Sequence, residues 1–228
     1  MNICLIPARK GSKRIKNKNI KNFNGKPIIY YSIKAALNSK LFDKIVVSTD
    51  SEKIKKIAIK FGAEVPFIRP KNISDDFAID FDVINHYLQF CKKQKISINN
   101  LCYLYPVNPL IKISTLKRCN KLLDSFNCQS VITVRKYAFP IEMALIKNSN
   151  GYIKLKNTKF KKKRSQDFNS SYEDAGQCYW YKVPLIKKFI NLRTIPFELD
   201  KFEYLDVDSK KDFNNLKKIF NSKLHINR

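Results

Sequence analysis

The segment Asn2–Pro27, NICLIPARKGSKRIKNKNIKNFNGKP, decides the fold of this chain. It opens with the apolar run Ile3–Ile6, which is short enough for a buried strand, and Pro7 ends that run. A basic loop that begins with Arg9 follows at once. Open α/β sheets bind their ligands at the carboxyl ends of parallel strands. The arrangement therefore predicts a strand followed by a ligand-binding loop.

The loop carries donors that suit phosphate groups. Gly11 allows the backbone to turn and to approach a ligand closely. Backbone N–H groups, the Ser12 hydroxyl, Arg9 and Lys18 could together cradle a triphosphate. The P-loop pattern is absent, because the only Gly-Lys pair of the segment is followed by proline. The spacing by itself is equally compatible with a basic surface loop that binds nothing.

Short apolar runs alternate with helical patterns along the rest of the chain. This alternation is typical of βαβ units in a doubly wound, mostly parallel sheet. A length of 228 residues suits a single α/β domain. The predicted later strands are residues 44–50, 64–68, 101–105, 130–134, 177–182 and 203–207; the predicted helices are 27–38, 52–61, 79–93, 114–126, 184–190 and a final helix that Asp208 caps and that reaches residue 220.

One insertion departs from the alternation between residues 136 and 160. Short apolar pieces there flank Asn150-Gly151, which is a strong hairpin turn signal. We interpret the insertion as a small β arm. The basic run at residues 161–164 follows it, and the lysines of such a run are typical of a solvated surface.

The chain is strongly basic, with a net charge of +26 from 45 Lys and Arg against 19 Asp and Glu. Such a charge suggests a polyanionic partner, so a basic nucleic-acid-binding protein is one alternative function. However, the lysines are spread along the chain and no nucleic-acid-binding motif occurs. We therefore expect no nucleic-acid partner.

The cysteines and the apolar runs bear on location. The six cysteines are scattered and form no C-x-x-C pair. This usage predicts reduced core residues of a cytoplasmic protein. No run approaches the ~18 consecutive apolar residues that a membrane span needs. We therefore expect no membrane partner.

Two carboxylates near the end of the chain suggest a metal site. Asp206 and Asp208 alternate around Val207 at the end of a predicted strand, so both carboxylates point to one face. Such a pair suits Mg²⁺, which prefers oxygen ligands and also binds phosphate. The alternative is that Asp208 merely caps the last helix. Asp50 also follows a strand, where it either supports the metal or the nucleotide or caps the next helix.

The pattern P-A-R-x-G-S-K-R-x-x-x-K-N-I at residues 7–20, followed by N-G-K-P at 24–27, resembles the opening of the CMP-sugar synthetases, the acylneuraminate cytidylyltransferase family. The resemblance implies a Rossmann-like nucleotidyltransferase fold. It further implies CTP and an acidic keto-sugar as substrates, with Mg²⁺ on Asp206 and Asp208. The β arm of this family pairs two subunits, so a homodimer is expected. A nucleotidyltransferase that uses a sugar 1-phosphate is another alternative.

In the implied reaction, the anomeric hydroxyl of the sugar attacks the α-phosphorus of CTP and pyrophosphate leaves. Catalysis of this kind depends mainly on alignment and charge neutralisation. No side chain stands out as the general base. The predicted catalytic residues are Arg9, Lys18, Asp206 and Asp208; the predicted nucleotide-binding residues are Arg9, Gly11, Ser12, Lys18, Asn19, Asp50 and Arg69, of which the resemblance places Asn19 and Arg69 near the cytosine.

Residues 164–180 resemble the sugar-binding segment of pseudaminic acid cytidylyltransferases, which read R-S-Q-D-L-P and then Y-H-D-A-G-Q-F-Y-W. Here the segment reads R-S-Q-D-F-N and then Y-E-D-A-G-Q-C-Y-W. Arg164 is the predicted partner of the sugar carboxylate. Pseudaminic acid is the expected sugar, with N-acetylneuraminic and legionaminic acids as alternatives. The predicted contacts to its hydroxyl and amide groups are Gln166, Asp174, Gln177 and Tyr179.

Overall fold

A six-stranded sheet forms the centre of the fold. The computed structural model describes residues 1–186, 193–200 and 202–226, the last four of these through their backbone alone. The strands are β1 (Asn2–Pro7), β2 (Asn22–Phe23), β3 (Lys26–Pro27), β4 (Lys44–Ser48), β5 (Asn100–Leu104), β6 (Ser130–Lys136), β7 (Leu145–Lys147), β8 (Ile153–Leu155), β9 (Tyr172–Lys182) and β10 (Thr194–Glu198). The helices are α1 (Ile29–Ser39), α2 (Glu52–Lys60), α3 (Asp80–Lys93), α4 (Ile113–Ser125) and α5 (Lys210–Ile226).

The strand order of the main sheet is β10-β6-β9-β5-β1-β4. β1 pairs in parallel with both β4 and β5, and β10 pairs in parallel with β6. β9 runs antiparallel between β5 and β6. The predicted doubly wound, mostly parallel α/β sheet is therefore confirmed, with one antiparallel strand inside it.

Both faces of the sheet are buried, which explains the continuous apolar run at the start of the chain. Ile3 and Leu5 of β1 pack in one cluster with α3, which contributes Tyr87. Cys4 and Ile6 point to the opposite face and pack with α1, α2 and α4. A third cluster joins α5 to the region around β2 and β3.

The cysteines and the helices bear on two expectations from composition. All six cysteines are free and buried, as predicted for reduced core residues. Among the described residues, no helix combines the length and the apolar character needed to cross a bilayer.

Two predicted strands are wrong. Residues 64–68 make only an isolated parallel bridge from Glu64 to Val46, because Pro66 cannot donate to a strand ladder. Residues 203–207 form no strand; Leu205 and Val207 leave the sheet and pack in the cluster with α5. The edge of the sheet beside β6 is formed by β10. This strand was not predicted, because Pro196 interrupts it. Proline is tolerated in edge strands.

Two predicted helix starts are also corrected. Pro27 lies in β3, and α1 begins at Ile29. The N-G-K-P segment is a hairpin turn, since Asn24 and Gly25 both have positive φ, at 47° and 82°. At the last helix, Asp208 is not the cap; the carboxylate of Asp212 accepts from its backbone N–H.

The predicted arm is present as the hairpin of β7 and β8. Its Asn150-Gly151 turn has Gly151 at a φ of 86°. Leu145, Tyr152 and Ile153 expose most of their apolar surface on it. The predicted helix at 184–190 is a short turn at Val183–Leu185 that ends before Ile186, and residues 187–190 lie outside the described residues.

Candidate active site

A cavity of about 290 Å³ opens at the carboxyl ends of β1 and β5. The basic loop after β1, the segment after Arg69, the end of β5 and residues 204–207 form its walls. This is the edge at which open α/β sheets bind ligands. The structure brings together six of the predicted site residues along this cavity: Arg9, Ser12, Lys18, Asn19, Arg69 and Asp206.

The basic loop is held in shape by its own polar contacts. The side-chain amide of the buried Asn19 donates to the carbonyl of Arg9 at 2.9 Å. The Arg9 guanidinium pairs with Asp76 at 2.9 Å and also donates to the carbonyl of Asp75. Arg9 is therefore oriented by the segment that follows Arg69.

Lys18 connects the basic loop to the last segment of the cavity. Its ammonium donates to the carbonyl of Val207 at 2.5 Å and lies 3.9 Å from a carboxylate oxygen of Asp208. Burial lowers the pKa of Lys18, and the charges of Asp208 and Asp206 oppose that shift. The two carboxylates thus favour the cationic form of the lysine beside the cavity.

Arg69 is a buried cation whose donors are incompletely used. Its side chain lines the cavity although the residue is only 4% exposed. Nε and Nη2 have no hydrogen-bond partner among the described residues. Burial lowers the pKa of Arg69, while Tyr103 and Asp50 raise it. Since buried donors are normally paired, these two N–H groups indicate a place for ligand acceptors.

The two predicted metal ligands lie on either side of the buried Val207. Asp206 borders the main cavity, and Asp208 borders an adjoining one of about 380 Å³ that also contacts Arg9 and Lys18. Asp208 pairs with Arg14. Within the described ranges, no cluster of three or more His, Cys, Asp or Glu residues is built for a metal ion. Two carboxylates beside a phosphate site nevertheless fit Mg²⁺, which usually keeps waters and binds substrate phosphates.

Two residues of the predicted nucleotide set stand apart from the cavity. Asp50 accepts from the backbone N–H of Lys10 at 2.7 Å and borders a separate depression behind the loop. It does not cap α2, because Ser51 accepts from the helix instead. Gly11 is not part of the cavity wall, and its φ is not in the left-handed region. Asp50 thus supports the loop, and neither residue borders the cavity.

Two predicted sugar-binding residues also lie away from the cavity of their own chain. The Arg164 side chain is 74% exposed and lies 3.5 Å from Asp167. Gln166 borders a different cavity of about 320 Å³ at the base of the arm.

The remaining sugar-binding predictions fall on or near β9. Gln177 is fully buried, and its amide donates to the carbonyl of Glu203 at 2.8 Å. The buried Tyr179 donates to Asp174 at 2.7 Å. Gln177 thus occupies a core position in this chain, and a direct contact with the sugar stays a prediction. Gly176 is the residue of this stretch that lines the cavity.

Sequence reasoning missed several residues of the cavity wall, among them Tyr103, Tyr105, Asp80 and Tyr204. The Tyr103 hydroxyl donates to Oδ1 of Asp80 at 2.7 Å, and the Tyr105 hydroxyl donates to Oδ2. A signal was present, since Tyr103 and Tyr105 alternate along the end of a strand and share one face. Asp80 and Tyr204, which complete the set, carried no sequence signal that we can identify.

The fold and this site are those of a nucleotidyltransferase. The family model of the cytidylyltransferases matches residues 3–219, and the chain belongs to that family. The chain is 36% identical over 216 residues to a pseudaminic acid cytidylyltransferase of Campylobacter jejuni serotype O:2, covering 90% of this chain and 93% of that protein.

Two further proteins are similar to this chain. An N-acylneuraminate cytidylyltransferase of Streptococcus agalactiae serotype V is 30% identical over 216 residues, covering 92% of this chain and 51% of that protein. A solved CMP:2-keto-3-deoxy-manno-octonic acid synthetase in complex with CTP has a TM-score of 0.67 at 17% identity, covering 97% of this chain and 99% of that one. The latter likeness concerns the fold alone.

Proposed function

We propose that the chain joins CTP and pseudaminic acid to give a CMP-sugar and pyrophosphate. The observation that carries this proposal is the convergence of the basic loop, Asp206 and the free Nε and Nη2 donors of Arg69 on one cavity at the strand ends. The 36% identical relative and the resemblance of residues 164–180 support pseudaminic acid as the sugar. N-acetylneuraminic acid is the second candidate, favoured by the 30% identical relative.

In this reaction the anomeric hydroxyl of the sugar gives up its proton to water, and its oxygen forms a bond to the α-phosphorus of CTP. The bond from that phosphorus to the bridging oxygen of the β-phosphate breaks, and pyrophosphate leaves with the electron pair. Arg9, Ser12 and Lys18 hold the triphosphate and neutralise the charge that grows on the leaving group. Their placement on one loop aligns the phosphates with the acceptor sugar.

The base of the nucleotide lies next to Arg69 and Asn19 in this proposal. The free Nε and Nη2 donors of Arg69 match the O2 and N3 acceptors of a cytosine ring. A site whose buried donors need these acceptors disfavours bases that lack them, because the donors would then stay unpaired.

Asp206 and Asp208 would hold Mg²⁺ here. When bound, the ion adds positive charge beside the phosphates. Asp208 already pairs with Arg14 and lies 3.9 Å from Lys18, and the charge of Asp206 also acts on Lys18. The same cations therefore neutralise the carboxylates and the triphosphate.

A homodimer formed through the β arm is part of the proposal. The arm exposes Leu145, Tyr152 and Ile153, and contiguous exposed apolar surface marks interaction sites. Gln166 lies at the base of the arm, and neither Gln166 nor Arg164 borders the cavity of its own chain. Pairing of two arms would let these residues reach the partner's cavity. The cytoplasmic location and the lack of a nucleic-acid partner stay predictions.

The test is to incubate the protein with CTP, Mg²⁺ and a panel of nine-carbon and eight-carbon keto-acids, and to measure pyrophosphate. We expect release that depends on both CTP and an acidic sugar. Equal turnover with ATP, GTP and UTP would contradict the cytidylyltransferase assignment. Best turnover with N-acetylneuraminic acid would overturn only the choice of sugar.

A further inference from the structure

Tyr204 forms part of the cavity wall next to Asp206. It lies in the segment between β10 and α5, where neither helix nor strand fixes the backbone. Leu205 and Asp206 continue the same wall, and Gly176 of β9 faces the cavity beside them. Side-chain contacts help to fix the position of Tyr204.

The first of these contacts is with Gly176. A Cβ atom at this position would lie 3.0 Å from the Tyr204 hydroxyl oxygen and 3.6 Å from Cζ. Gly176 also has a φ of +58°, which side-chain-bearing residues rarely adopt. The backbone of β9 thus approaches the tyrosine so closely that a side chain at position 176 would crowd the Tyr204 hydroxyl.

The second contact comes from the pair of Arg135 and Glu173. These residues are register partners on β6 and β9, and their side chains form an ion pair at 2.7 Å. The guanidinium carbon of Arg135 lies 5.6 Å from the centre of the Tyr204 ring. A cation over an aromatic face is attracted to it. The ring is therefore held over Arg135 while its hydroxyl meets Gly176.

We propose that Tyr204 is a specificity-determining residue, whose ring limits the size of the acceptor that fits beside Asp206. This inference rests on the proposed function, because an acceptor must reach the α-phosphorus next to Asp206 for transfer to occur. Tyr204 is joined to Asp206 along the chain and to Gly176 by contact, so its ring bounds the cavity at this end. Removing the ring enlarges the cavity there.

The test compares Tyr204→Ala with Tyr204→Phe, which keeps the ring. For each variant, kcat/KM is measured with the preferred acidic sugar and with the next best sugars, and CTP affinity is measured separately. We expect Tyr204→Ala to reduce the ratio between preferred and other sugars by about tenfold, as for other pockets that select by size. Tyr204→Phe should keep the parental ratio because the ring volume is unchanged, and the loss of the hydroxyl contact with Asp206 should affect every sugar alike.

The contact with Gly176 is tested by a double-variant cycle. Gly176→Ala should lower kcat/KM, because the new Cβ pushes against the tyrosine hydroxyl. Adding Tyr204→Phe removes that hydroxyl and should restore part of the loss, which appears as a coupling between the two changes. Strictly additive effects of the two substitutions on kcat/KM would contradict a direct contact between Gly176 and Tyr204.

The possible outcomes distinguish a failure of the proposed function from a failure of this inference. A parent protein that releases no pyrophosphate with any acidic sugar refutes the proposed function. An active parent whose sugar ratio is unchanged in Tyr204→Ala, while CTP affinity shows that the variant is folded, refutes the role of Tyr204 alone. A ratio that changes as much in Tyr204→Phe as in Tyr204→Ala refutes the claim that ring size is responsible.

Discussion

Nη1 of Arg9 lies 2.9 Å from Oδ1 of Asp76, so a carboxylate of the chain already contacts an arginine that the triphosphate would use. Lys13 pairs with the other oxygen of the same carboxylate. Asp75 stiffens this turn by accepting from the backbone N–H of Phe77 at 3.0 Å and of Ala78 at 2.9 Å. The segment after Arg69 is thus tied to the basic loop by contacts for which a polyanion competes.

Asp76→Asn should therefore tighten the binding of CTP. The substitution removes a negative charge that competes with phosphate for Arg9 and Lys13, and exposed pairs of this kind correspond to roughly a threefold change in affinity. The measurement is calorimetric titration with CTP at low and high salt, where the gain should shrink as salt rises. Asp124→Asn, an equal charge change on α4, is the matched control. Weaker binding in Asp76→Asn would show that the carboxylate supports the site.

Asp206→Asn and Asp208→Asn should each lower kcat by about 10²-fold or more, because each removes charge from the proposed Mg²⁺ site. The unfolding midpoint of both variants should stay close to that of the parent, since both side chains are exposed. Rates are measured across a Mg²⁺ titration. Asp200→Asn, an exposed carboxylate of the preceding segment, is the control. Near-normal rates in both variants at saturating Mg²⁺ would show that Asp206 and Asp208 have a structural role only.

Assembly is tested on the β arm. We expect the parent to be a dimer by light scattering, and Ile153→Glu to shift it towards monomer because a charge would be placed in an apolar contact. Activity should fall with the dimer, since Arg164 and Gln166 would no longer reach a second cavity. Ile59→Glu, an exposed isoleucine on α2, controls for the new charge. A strictly monomeric and fully active parent would refute the dimer.

Arg164→Ala should raise KM for every acidic sugar, because all of them share the carboxylate that this arginine is proposed to bind. The KM for CTP should change little, since Arg164 lies outside the cavity lined by Arg9 and Arg69. The measurement is kcat and KM for pseudaminic, legionaminic and N-acetylneuraminic acids. Lys163→Ala is the neighbouring control. Unchanged KM values for all three sugars would remove Arg164 from the site.

Gln177→Ala should act on stability rather than on sugar choice. The Gln177 amide is buried and donates to the Glu203 carbonyl at 2.8 Å. Its removal leaves that acceptor unpaired, which costs about 1–3 kcal/mol of unfolding free energy. Urea denaturation measures this cost. A changed sugar ranking at parental stability would instead place Gln177 in direct contact with the sugar.

Much of the fold was predictable because its signals are local. The first strand and its basic loop are contiguous in sequence, so the position of Arg9 and Lys18 at a strand end followed directly. Pro66 and Pro196 explain the errors at the sheet edge, since one proline broke a predicted strand and the other concealed β10. Apolar content alone does not show which edge a proline can occupy.

The site was predictable only where its residues belong to one segment. Tyr103 and Asp80 meet through a hydrogen bond of 2.7 Å between β5 and α3, and no local pattern relates those elements. The burial of Gln177 was not predicted, because the resemblance gives residue types but not the direction of each side chain. The irregular register between Ile132 and Val134 of β6 lies opposite residues 175–178 of β9, which include Gln177. Such a shift moves side chains to the other face of a sheet.

The central place of β9 has a consequence for the newly made chain. On the ribosome, β1, β4 and β5 emerge first and can pair, but the free edge of β5 has no neighbour until residues 172–182 appear. β6 emerges before β9 and lacks this neighbour until β9 has been synthesised. Unpaired apolar edges promote aggregation. A nascent chain released before Tyr172 should therefore be aggregation-prone or depend on chaperones, whereas one released after Lys182 can close its sheet.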